Sequence, residues 1–555
     1  MNVSDYIIQY LLNIGVTHAF GLPGGVILEL IYAMDRAAGF TPHLSYHEQG
    51  AAFAASGYAQ ASGRLGVVYC TRGPGVTNLM TAIADAYYES IPVLILTAHA
   101  VSCEETKMRA VEDQEMDTPA LFNKICKYAS TVETREEVEA KLVEAVEAAI
   151  SGRKGPVLLD FSTRLLAQPW ESPITLRPLP SDLKDEKDAV KIILKAISEA
   201  QHPILLVGDG VRQARAALQS VVERMGIPVV SSRAAQDILP QSEQYFGYVG
   251  SHGIRYANFI LSKADLIIAL GNRMSFPVDS ESFSPIFQRT KTIRVEIDIE
   301  EFSRNIPNCI NLCADAANVI KSLATMSTLP TVSNAWTKIC LQLKNTLYSY
   351  DVTEPIHKIS CFLKGIPENC IIVCDVGNHE FWLSRAYTYA KVGNRILYSK
   401  SFGALGCALP KAIGAYCASG VPVICFTGDQ GFQLNQQELQ SLAQEELQIT
   451  VFLINNRSSG MIRSRELSRP YFLHTTLKSG YGTPNFCCLS EAYGIPYRLA
   501  EANVDTKCTL NEGPQIIEYL VDENYGLQPS LPKGNPCQKQ SPLLPEELYK
   551  TLDQL

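Results

Sequence analysis

The sequence predicts an α/β protein made of three Rossmann-like domains, each with a parallel sheet covered by helices. Two observations carry this prediction. Short apolar runs alternate with longer amphipathic stretches along most of the chain, which is typical of strand–helix–strand units in parallel sheets. A chain of 555 residues is also too long for a single hydrophobic core, so three domains of ordinary size are expected.

The composition indicates which kinds of molecule the protein does not bind. The net charge of −9 and the absence of a basic stretch argue against nucleic acid as the main partner. The N-terminus lacks the basic start and long apolar stretch of a signal peptide, and apolar runs such as 91–98 are too short to span a membrane. The 16 cysteines form no C-x-x-C pair and no cluster with zinc spacing. We therefore expect a cytoplasmic protein with reduced thiols and no membrane partner.

The first domain is predicted over residues 1–165, with strands at 66–70, 93–97 and 157–161. A connector rich in proline and charge follows at 169–187. Within this domain, Glu48 precedes a helix whose face is alanine and glycine. An acid in a first helical turn often does no more than stabilise the helix dipole.

The second domain is predicted over residues 188–330, with strands at 203–207, 227–230, 266–269 and 292–297. Its glycine turns and an acid after a strand fit half of a nucleotide-binding fold. The same pattern fits a nucleotide domain that binds nothing.

The third domain is predicted over residues 350–530, with strands at 371–374, 423–426, 449–454 and 515–521. Residues 531–555, rich in proline and polar groups, are expected to form an extended tail.

Residues 426–456, FTGDQGFQLNQQELQSLAQEELQITVFLINN, carry the strongest chemical signal. One apolar run ends at Gly428-Asp429, and a second ends at Asn455-Asn456. Parallel sheets hold ligands at the carboxyl ends of their strands, and Mg²⁺ prefers such oxygen ligands together with phosphate oxygens. An ordinary unit with a capping aspartate and an asparagine turn gives the same letters. Other motifs along the chain decide between these two interpretations.

This stretch resembles the metal–diphosphate motif of thiamine-diphosphate (ThDP) enzymes, with Gln430 where the third residue is usually glycine. Further strings, in chain order, resemble acetolactate synthases and their relatives. They are GLPGG (21–25), YHEQGAAFAASGYAQASG (46–63), TRGPGVTN (71–78), DVGNHEFW (375–382) and SFGALGCALPKAIGA (401–415).

The resemblance implies a role for particular residues. Glu48 activates ThDP through its aminopyrimidine ring, and Asp429, Asn456 and the backbone carbonyl of Ser458 hold Mg²⁺. The remaining residues expected to meet ThDP are Gly24, Gly25, Pro74, Asn78, Asn378, His379, Gly403, Leu405, Gly428, Gln430, Gly460 and Met461.

The resemblance also implies a flavin in the second domain, whose loops are similar to those that hold FAD in acetolactate synthases. The residues expected to meet it are Arg153, Gly208, Gly210, His252, Gly271, Arg273 and Asp298. ADP or an empty site remains an alternative, and the chemistry expected here needs no redox step.

The pattern departs from the family at the pocket for the second substrate. By position, Asp113, Thr163 and Arg465 replace a phenylalanine, a lysine and a tryptophan. These residues favour a polyhydroxylated acceptor over a second ketoacid, because they can form hydrogen bonds that apolar side chains cannot. They are also compatible with surface changes in an ordinary acetolactate synthase.

The predicted function is decarboxylation of a 2-ketoacid, pyruvate first among them, and transfer of the two-carbon unit to a carbonyl acceptor. The alternatives are acetyl transfer to a nucleotide-linked keto sugar, simple ketoacid decarboxylation, and a non-catalytic flavoprotein relative. Because the family builds its site from two subunits, a homodimer or homotetramer is expected.

Overall fold

The computed structural model describes residues 1–100, 112–171, 186–275, 280–500, 510 and 512–555. Within them the chain forms three six-stranded sheets. Every pairing between these strands is parallel. The predicted fold class is therefore confirmed. The connector expected at 169–187 lies largely outside the described residues.

The first sheet has the strand order β2-β1-β3-β4-β6-β5. Its strands are β1 His18–Gly21, β2 Thr41–Leu44, β3 Gly66–Tyr69, β4 Val93–His99, β5 Tyr128–Val132 and β6 Val157–Ser162. The accompanying helices are α1 Val3–Asn13, α2 Leu28–Arg36, α3 Glu48–Ser62, α4 Pro74–Glu89, α5 Thr118–Phe122, α6 Arg135–Ile150 and α7 Thr163–Leu166.

The second sheet has the order β12-β11-β10-β7-β8-β9. Its strands are β7 Pro203–Val207, β8 Val229–Ser231, β9 Tyr245–Tyr248, β10 Leu266–Leu270, β11 Lys291–Glu296 and β12 Cys309–Cys313. The helices are α8 Lys187–Glu199, α9 Arg215–Met225, α10 Arg255–Lys263, α11 Ser284–Arg289, α12 Ala316–Thr325 and α13 Asn334–Leu347.

The third sheet has the order β14-β13-β15-β16-β18-β17. Its strands are β13 Ile371–Cys374, β14 Arg395–Tyr398, β15 Val423–Gly428, β16 Ile449–Asn455, β17 Tyr497–Leu499 and β18 Gln515–Leu520. The helices are α14 Glu354–Gly365, α15 Asn378–Ala390, α16 Ala408–Ser419, α17 Asp429–Leu434, α18 Leu439–Gln444, α19 Gly460–Glu466 and α20 Phe486–Ala492. Because β13, β15 and β16 are neighbours, the residues after them meet at one edge of the sheet.

The end of the chain differs from the extended tail that we expected. It finishes in helix α21, Glu546–Asp553. Tyr549 and Leu552 on this helix are buried against the second domain, together with Cys537 and Leu544. The apolar residues of this short segment lie on one face of the helix, and burying them offsets the loss of chain entropy.

The first and third domains share one hydrophobic core. Helices α3 and α16 cross with their backbones in contact. A Cβ atom added at Gly57 would lie 2.1 Å from the carbonyl oxygen of Lys411, and one at Gly414 would lie 1.8 Å from that of Ala54. These positions therefore require glycine. A fully buried ion pair between Lys411 Nζ and Asp85 Oδ2, 2.7 Å long, lies at the same junction.

Among the described residues, no helix has both the length and the apolar character that crossing a membrane requires.

Candidate functional site

Four polar residues occupy the carboxyl ends of three neighbouring strands in the third sheet. Asn378 and His379 begin α15 after β13, Asp429 begins α17 directly after β15, and Asn456 follows β16. All four side chains are buried. The apolar strands drive the sheet into the core, so each strand end carries its polar residue to a common edge.

Three atoms of this group have no hydrogen-bond partner in the protein: Oδ1 of Asn378, Nε2 of His379 and Oδ2 of Asp429. The hydroxyl of Tyr481 lies near the Asp429 carboxylate and partly opposes the rise in its pKa. Most buried polar atoms in folded proteins are paired. Several unpaired atoms at one sheet edge therefore indicate a polar ligand, and a diphosphate with a divalent cation matches these donors and acceptors.

Glycines bring these side chains close to the backbone. A Cβ atom at Gly460 would lie 2.5 Å from Nδ2 of Asn378 and 2.9 Å from Nδ2 of Asn456. One at Gly428 would lie 3.1 Å from Nδ1 of His379. Any larger residue at Gly460 would displace the two side-chain amides, so this glycine sets where Asn378 and Asn456 lie.

Burial changes the protonation of this group. It raises the pKa of Asp429 to about 6 and lowers that of His379 to about 4. The histidine is therefore neutral near pH 7, and a cation beside Asp429 would favour its charged form. Gln430 is exposed, and its backbone amide donates to Oδ1 of Asp429 at 3.0 Å. The Ser458 amide donates to Oδ1 of Asn456 at 3.3 Å, which puts Ser458 beside this expected ligand.

Asp375 belongs to the site although we did not single it out from the sequence. Its buried carboxylate accepts hydrogen bonds from the backbone amides of Val376, Gly406 and Ala408, at 2.7, 2.9 and 3.2 Å. Burial raises its pKa to about 6. The turn that it holds includes Leu405 and follows Gly403, which has a positive φ of 72°. The signal for this role was an aspartate directly after an apolar strand.

Glu48 lies in the first domain, at the start of α3, and is buried. Nδ2 of Asn78, on α4, donates to its carboxylate at 2.9 Å. A Cβ atom at Gly75 would come within 3.3 Å of the same carboxylate. The sequence-predicted pair of Glu48 and Asn78 is thus brought together, beside the first turn of α4 that Pro74 begins.

Two glycines of the GLPGG loop, Gly24 and Gly25, have different surroundings. Gly24 packs on Thr71, whose Cβ would be 2.3 Å from a Cβ atom at Gly24. Gly25 is exposed, and a Cβ atom there would meet nothing within 4 Å. Gly24 therefore ties this loop to the segment before α4, while Gly25 leaves open space above it.

Within one chain the two parts of the candidate site stay separate. Among the described residues, no hydrogen bond or ion pair joins Glu48 to Asn378, His379, Asp429 or Asn456. The start of α3 contacts Glu438 of the third domain instead, whose Oε1 accepts from the Tyr46 amide at 3.2 Å.

The three residues expected at the second-substrate pocket are not joined by any contact within the described residues. Asp113 and Arg465 are exposed, the latter near the end of α19. The hydroxyl of Thr163 donates to the backbone carbonyl of His99 at 3.0 Å. Leu405 and Met461 are half-buried.

The residues expected to meet FAD mostly form ion pairs, hydrogen bonds or backbone contacts with one another. Arg153 forms ion pairs with Glu296 at 2.9 Å and with Asp298 at 2.6 Å. A Cβ atom at Gly208 would lie 2.1 Å from the carbonyl oxygen of Gly271, and the Gly210 amide donates to that oxygen at 3.1 Å. The glycine turns therefore close on each other.

The other two flavin candidates bind protein groups as well. Arg273 donates to the Tyr88 carbonyl at 2.8 Å and to Ser401, and so links the three domains. The His252 ring lies 4.6 Å from that of Phe381. In this arrangement all of these residues contact other protein groups, and the binding of FAD stays a prediction.

Three parallel α/β domains, with a buried glutamate on the first and unpaired buried polar atoms at the strand ends of the third, are typical of ThDP-dependent enzymes. Family models agree: residues 1–121, 190–323 and 375–518 match the N-terminal TPP binding, central and C-terminal TPP binding domains of thiamine pyrophosphate enzymes. The chain belongs to this family and is an acetolactate synthase-like member.

Similar proteins cover nearly the whole chain. The acetolactate synthase large subunit of Lactococcus lactis is 32% identical, over 96% of this chain and 94% of its own length. The isozyme 2 large subunit of Escherichia coli is 30% identical, over 96% and 98%. The chloroplastic acetolactate synthase 1 of Zea mays is 30% identical, over 96% and 87%.

Proposed function

We propose that the protein decarboxylates a 2-ketoacid, with pyruvate as the first candidate, and joins the two-carbon unit to a carbonyl acceptor. The observation that carries this proposal is the set of unpaired buried atoms on Asn378, His379 and Asp429. The names of the relatives, acetolactate synthases, support the same reaction class.

The third domain would hold the diphosphate end of the cofactor. Asp429, Asn456 and the backbone carbonyl of Ser458 would bind Mg²⁺. His379 would donate a hydrogen bond from Nε2 to a phosphate oxygen, which requires the tautomer with its proton on Nε2. Asn378 and Gly428 would contact the diphosphate beside it. A diphosphate carries no hydrogen that it could donate to Oδ1 of Asn378 at neutral pH. This oxygen would therefore accept from a water molecule on the metal, or the side-chain amide would be flipped so that its NH₂ group faces the phosphate.

Glu48 would act on the aminopyrimidine end. When bound, ThDP supplies an acidic ring carbon that becomes the nucleophile and an electron sink for decarboxylation. Glu48 holds a proton at N1′ of the aminopyrimidine and so sets the tautomer of that ring. The amide of Asn78 orients the Glu48 carboxylate by its 2.9 Å hydrogen bond.

Leu405 and Met461 would flank the thiazolium ring. Both are half-buried, which leaves part of each side chain available for contact. Asp375 would be a positioning residue, because its hydrogen bonds to the Gly406 and Ala408 amides anchor the turn carrying Leu405.

Assembly as a homodimer or homotetramer would complete the site. The separation of Glu48 from the third-domain residues in one chain supports this proposal. Exposed apolar side chains lie beside both parts: Leu44 and Tyr46 before α3, and Leu434 at the end of α17. A second copy would cover them and bring its own third domain to Glu48.

Subunit mixing tests the shared site. Glu48→Gln and Asp429→Ala proteins should each be inactive, and unfolding and refolding them together should restore about a quarter of the wild-type activity. The expected fraction follows because half of the dimers are mixed, and each mixed dimer has one intact site. Failure of the mixed sample, while co-refolded wild type recovers, would contradict a site shared between subunits.

A nucleotide-linked keto sugar is the second candidate acceptor. The residue types at Asp113 and Arg465 favour it, since a carboxylate and a guanidinium can bind hydroxyl and phosphate groups, which apolar side chains cannot. Thr163 supports it less, because its hydroxyl is already bonded to a backbone carbonyl.

Labelled pyruvate offered with a panel of ketoacid and keto-sugar acceptors, with products identified by mass spectrometry, tests these proposals. Labelled acetolactate identifies a ketoacid acceptor, and a labelled branched sugar identifies the second candidate. Labelled acetaldehyde alone would identify a simple decarboxylase. If the protein loaded with ThDP and Mg²⁺ consumes neither pyruvate nor another 2-ketoacid, the remaining interpretation is a non-catalytic relative.

FAD has no step in this proposal. The flavin prediction is tested by the absorbance of the purified protein after desalting, with and without added FAD.

A further inference from the structure

Two histidines and a cysteine meet at the junction of the first and third domains, away from the candidate cofactor site. His18 begins β1, His43 lies in β2, and Cys417 lies in the last turn of α16. One possible ligand atom from each lies within 4.8 Å of the other two.

The contacts within this group are close. Nδ1 of His18 lies 2.8 Å from Nε2 of His43, and Sγ of Cys417 lies 4.0 Å from Nδ1 of His43. Oε2 of Glu445, which directly follows α18, lies 2.9 Å from Nδ1 of His43. The Phe20 ring stacks on the His43 ring at 5.0 Å, which limits rotation of that ring.

The group is separate from the expected Mg²⁺ site. Cys417 and Glu445 precede β15 and β16, whereas Asp429 and Asn456 follow those strands. A strand as long as β15 spans about 20 Å. The two sites would therefore lie at opposite ends of the third sheet.

The donor set selects a particular kind of metal. Imidazole nitrogen and thiolate sulfur suit Zn²⁺ and similar borderline cations, while Mg²⁺ prefers oxygen. One thiolate and one carboxylate would balance the charge of a divalent cation. His18 and Cys417 are only partly buried, so an ion can reach them.

We propose that His18, His43 and Cys417 bind one Zn²⁺-like divalent cation, with Glu445 beside it, and that this ion clamps the first domain to the third. If His43 binds through Nε2, Glu445 accepts from its other nitrogen and fixes the ring, as carboxylates do in many zinc sites. If His43 binds through Nδ1, Glu445 is itself a fourth ligand.

The spacing of these residues explains why the sequence does not reveal the group. His18 and His43 are 25 positions apart, and His43 and Cys417 are 374 apart. Only the packing of α16 and α18 beside the first sheet brings them together.

Cobalt spectroscopy tests the proposal on the full-length protein. After removal of metals with EDTA, the protein is saturated with Mg²⁺ and ThDP and then titrated with Co²⁺. We expect one equivalent to produce a near-ultraviolet thiolate-to-cobalt band and the visible bands of tetrahedral cobalt. Zn²⁺ should then remove both. Cobalt at an all-oxygen site gives no thiolate band, so the two sites are distinguishable.

Cys361→Ser provides a matched control. Sγ of Cys361 also lies 4.0 Å from a histidine nitrogen, Nε2 of His357, but no third ligand of the described residues joins that pair. Cys417→Ser should abolish the thiolate band, and Cys361→Ser should leave it unchanged. Equal loss in both variants, or no band in the wild type, would overturn the proposal and leave a hydrogen-bonded histidine pair.

Two further variants keep the proposal testable if the Cys417→Ser protein does not fold. His18→Asn should reduce bound zinc, measured by elemental analysis, from about one per chain to background. Glu445→Gln should weaken zinc about 10- to 100-fold, the usual effect of removing a carboxylate partner of a metal-binding histidine. Circular dichroism establishes folding, and undiminished zinc binding in a folded His18→Asn protein would refute the site.

Discussion

The strand ends of the second and third domains carry similar sequence signals but have different structures. Both place glycines and acids after apolar strands of a parallel sheet. In the third domain, Asn378, His379 and Asp429 keep buried atoms without partners. In the second, Arg153 is paired with Glu296 and Asp298, and the glycine turns pack on each other. A glycine turn therefore indicates a close backbone approach, and the unpaired atoms that cluster at one strand-end edge are the stronger sign of a ligand.

The largest expected effect comes from removing the metal carboxylate. Asp429→Ala should weaken binding of ThDP with Mg²⁺ by about 100-fold or more, since even indirect partners of a metal cost 10- to 100-fold. Isothermal titration calorimetry measures the change. Asp298→Ala is the matched variant in the second domain and should keep wild-type ThDP affinity. Equal losses of ThDP affinity in the two variants would contradict the assignment of cofactor binding to the third domain.

Glu48→Gln should lower turnover by about 100-fold or more while ThDP still binds, because the amide cannot hold the proton at N1′. Exchange of the thiazolium proton with deuterium, followed by NMR on the bound cofactor, measures this step. Asn78→Ala should reduce it less, since that residue only orients the glutamate. A wild-type exchange rate in Glu48→Gln would remove the glutamate from the mechanism.

A third change tests whether the paired residues of the second domain serve stability. Arg153→Ala should lower the free energy of unfolding by about 1–3 kcal/mol, because it removes the ion-pair partner of the buried Glu296 carboxylate. Denaturant unfolding measures the loss, and ThDP affinity should not change. If the protein instead purifies with flavin, and Arg153→Ala releases it without a loss of stability, these residues serve a ligand after all.

Glu438 gives an effect of similar size that depends on pH. This glutamate lies between the domains and accepts from the Tyr46 amide, and burial raises its pKa to about 7. Its protonated form therefore stabilises the fold fully below pH 4.5, and this contribution is lost as the pH rises through 7. Relative to Glu438→Gln, the wild type should lose on the order of 2 kcal/mol between pH 5 and pH 8.

Urea unfolding of both proteins at several pH values measures that difference. Because the comparison is between two proteins at each pH, other titrating groups cancel to a first approximation. A constant difference across this range would show that Glu438 keeps one protonation state.

Part of the site could be predicted because its signals are local. An apolar run followed by Gly428-Asp429 or Asn455-Asn456 describes a strand and its end, and parallel neighbours must bring such ends together. The resemblance in chain order added Glu48, and the structure pairs it with Asn78. The roles of these residues toward ThDP, Mg²⁺ and substrate stay predictions.

The alternation of apolar strands and amphipathic helices can be read directly from the amino-acid order, and it leads to three parallel α/β domains. The partners of the polar groups depend instead on how the helices and sheets pack. Asp375 meets the backbone 31 and 33 positions away, Arg153 meets Asp298 145 positions away, and His43 meets Cys417 374 away. Such contacts depend on how whole helices and sheets pack, because a side chain's partner is set by distance in space, which local patterns along the chain do not specify.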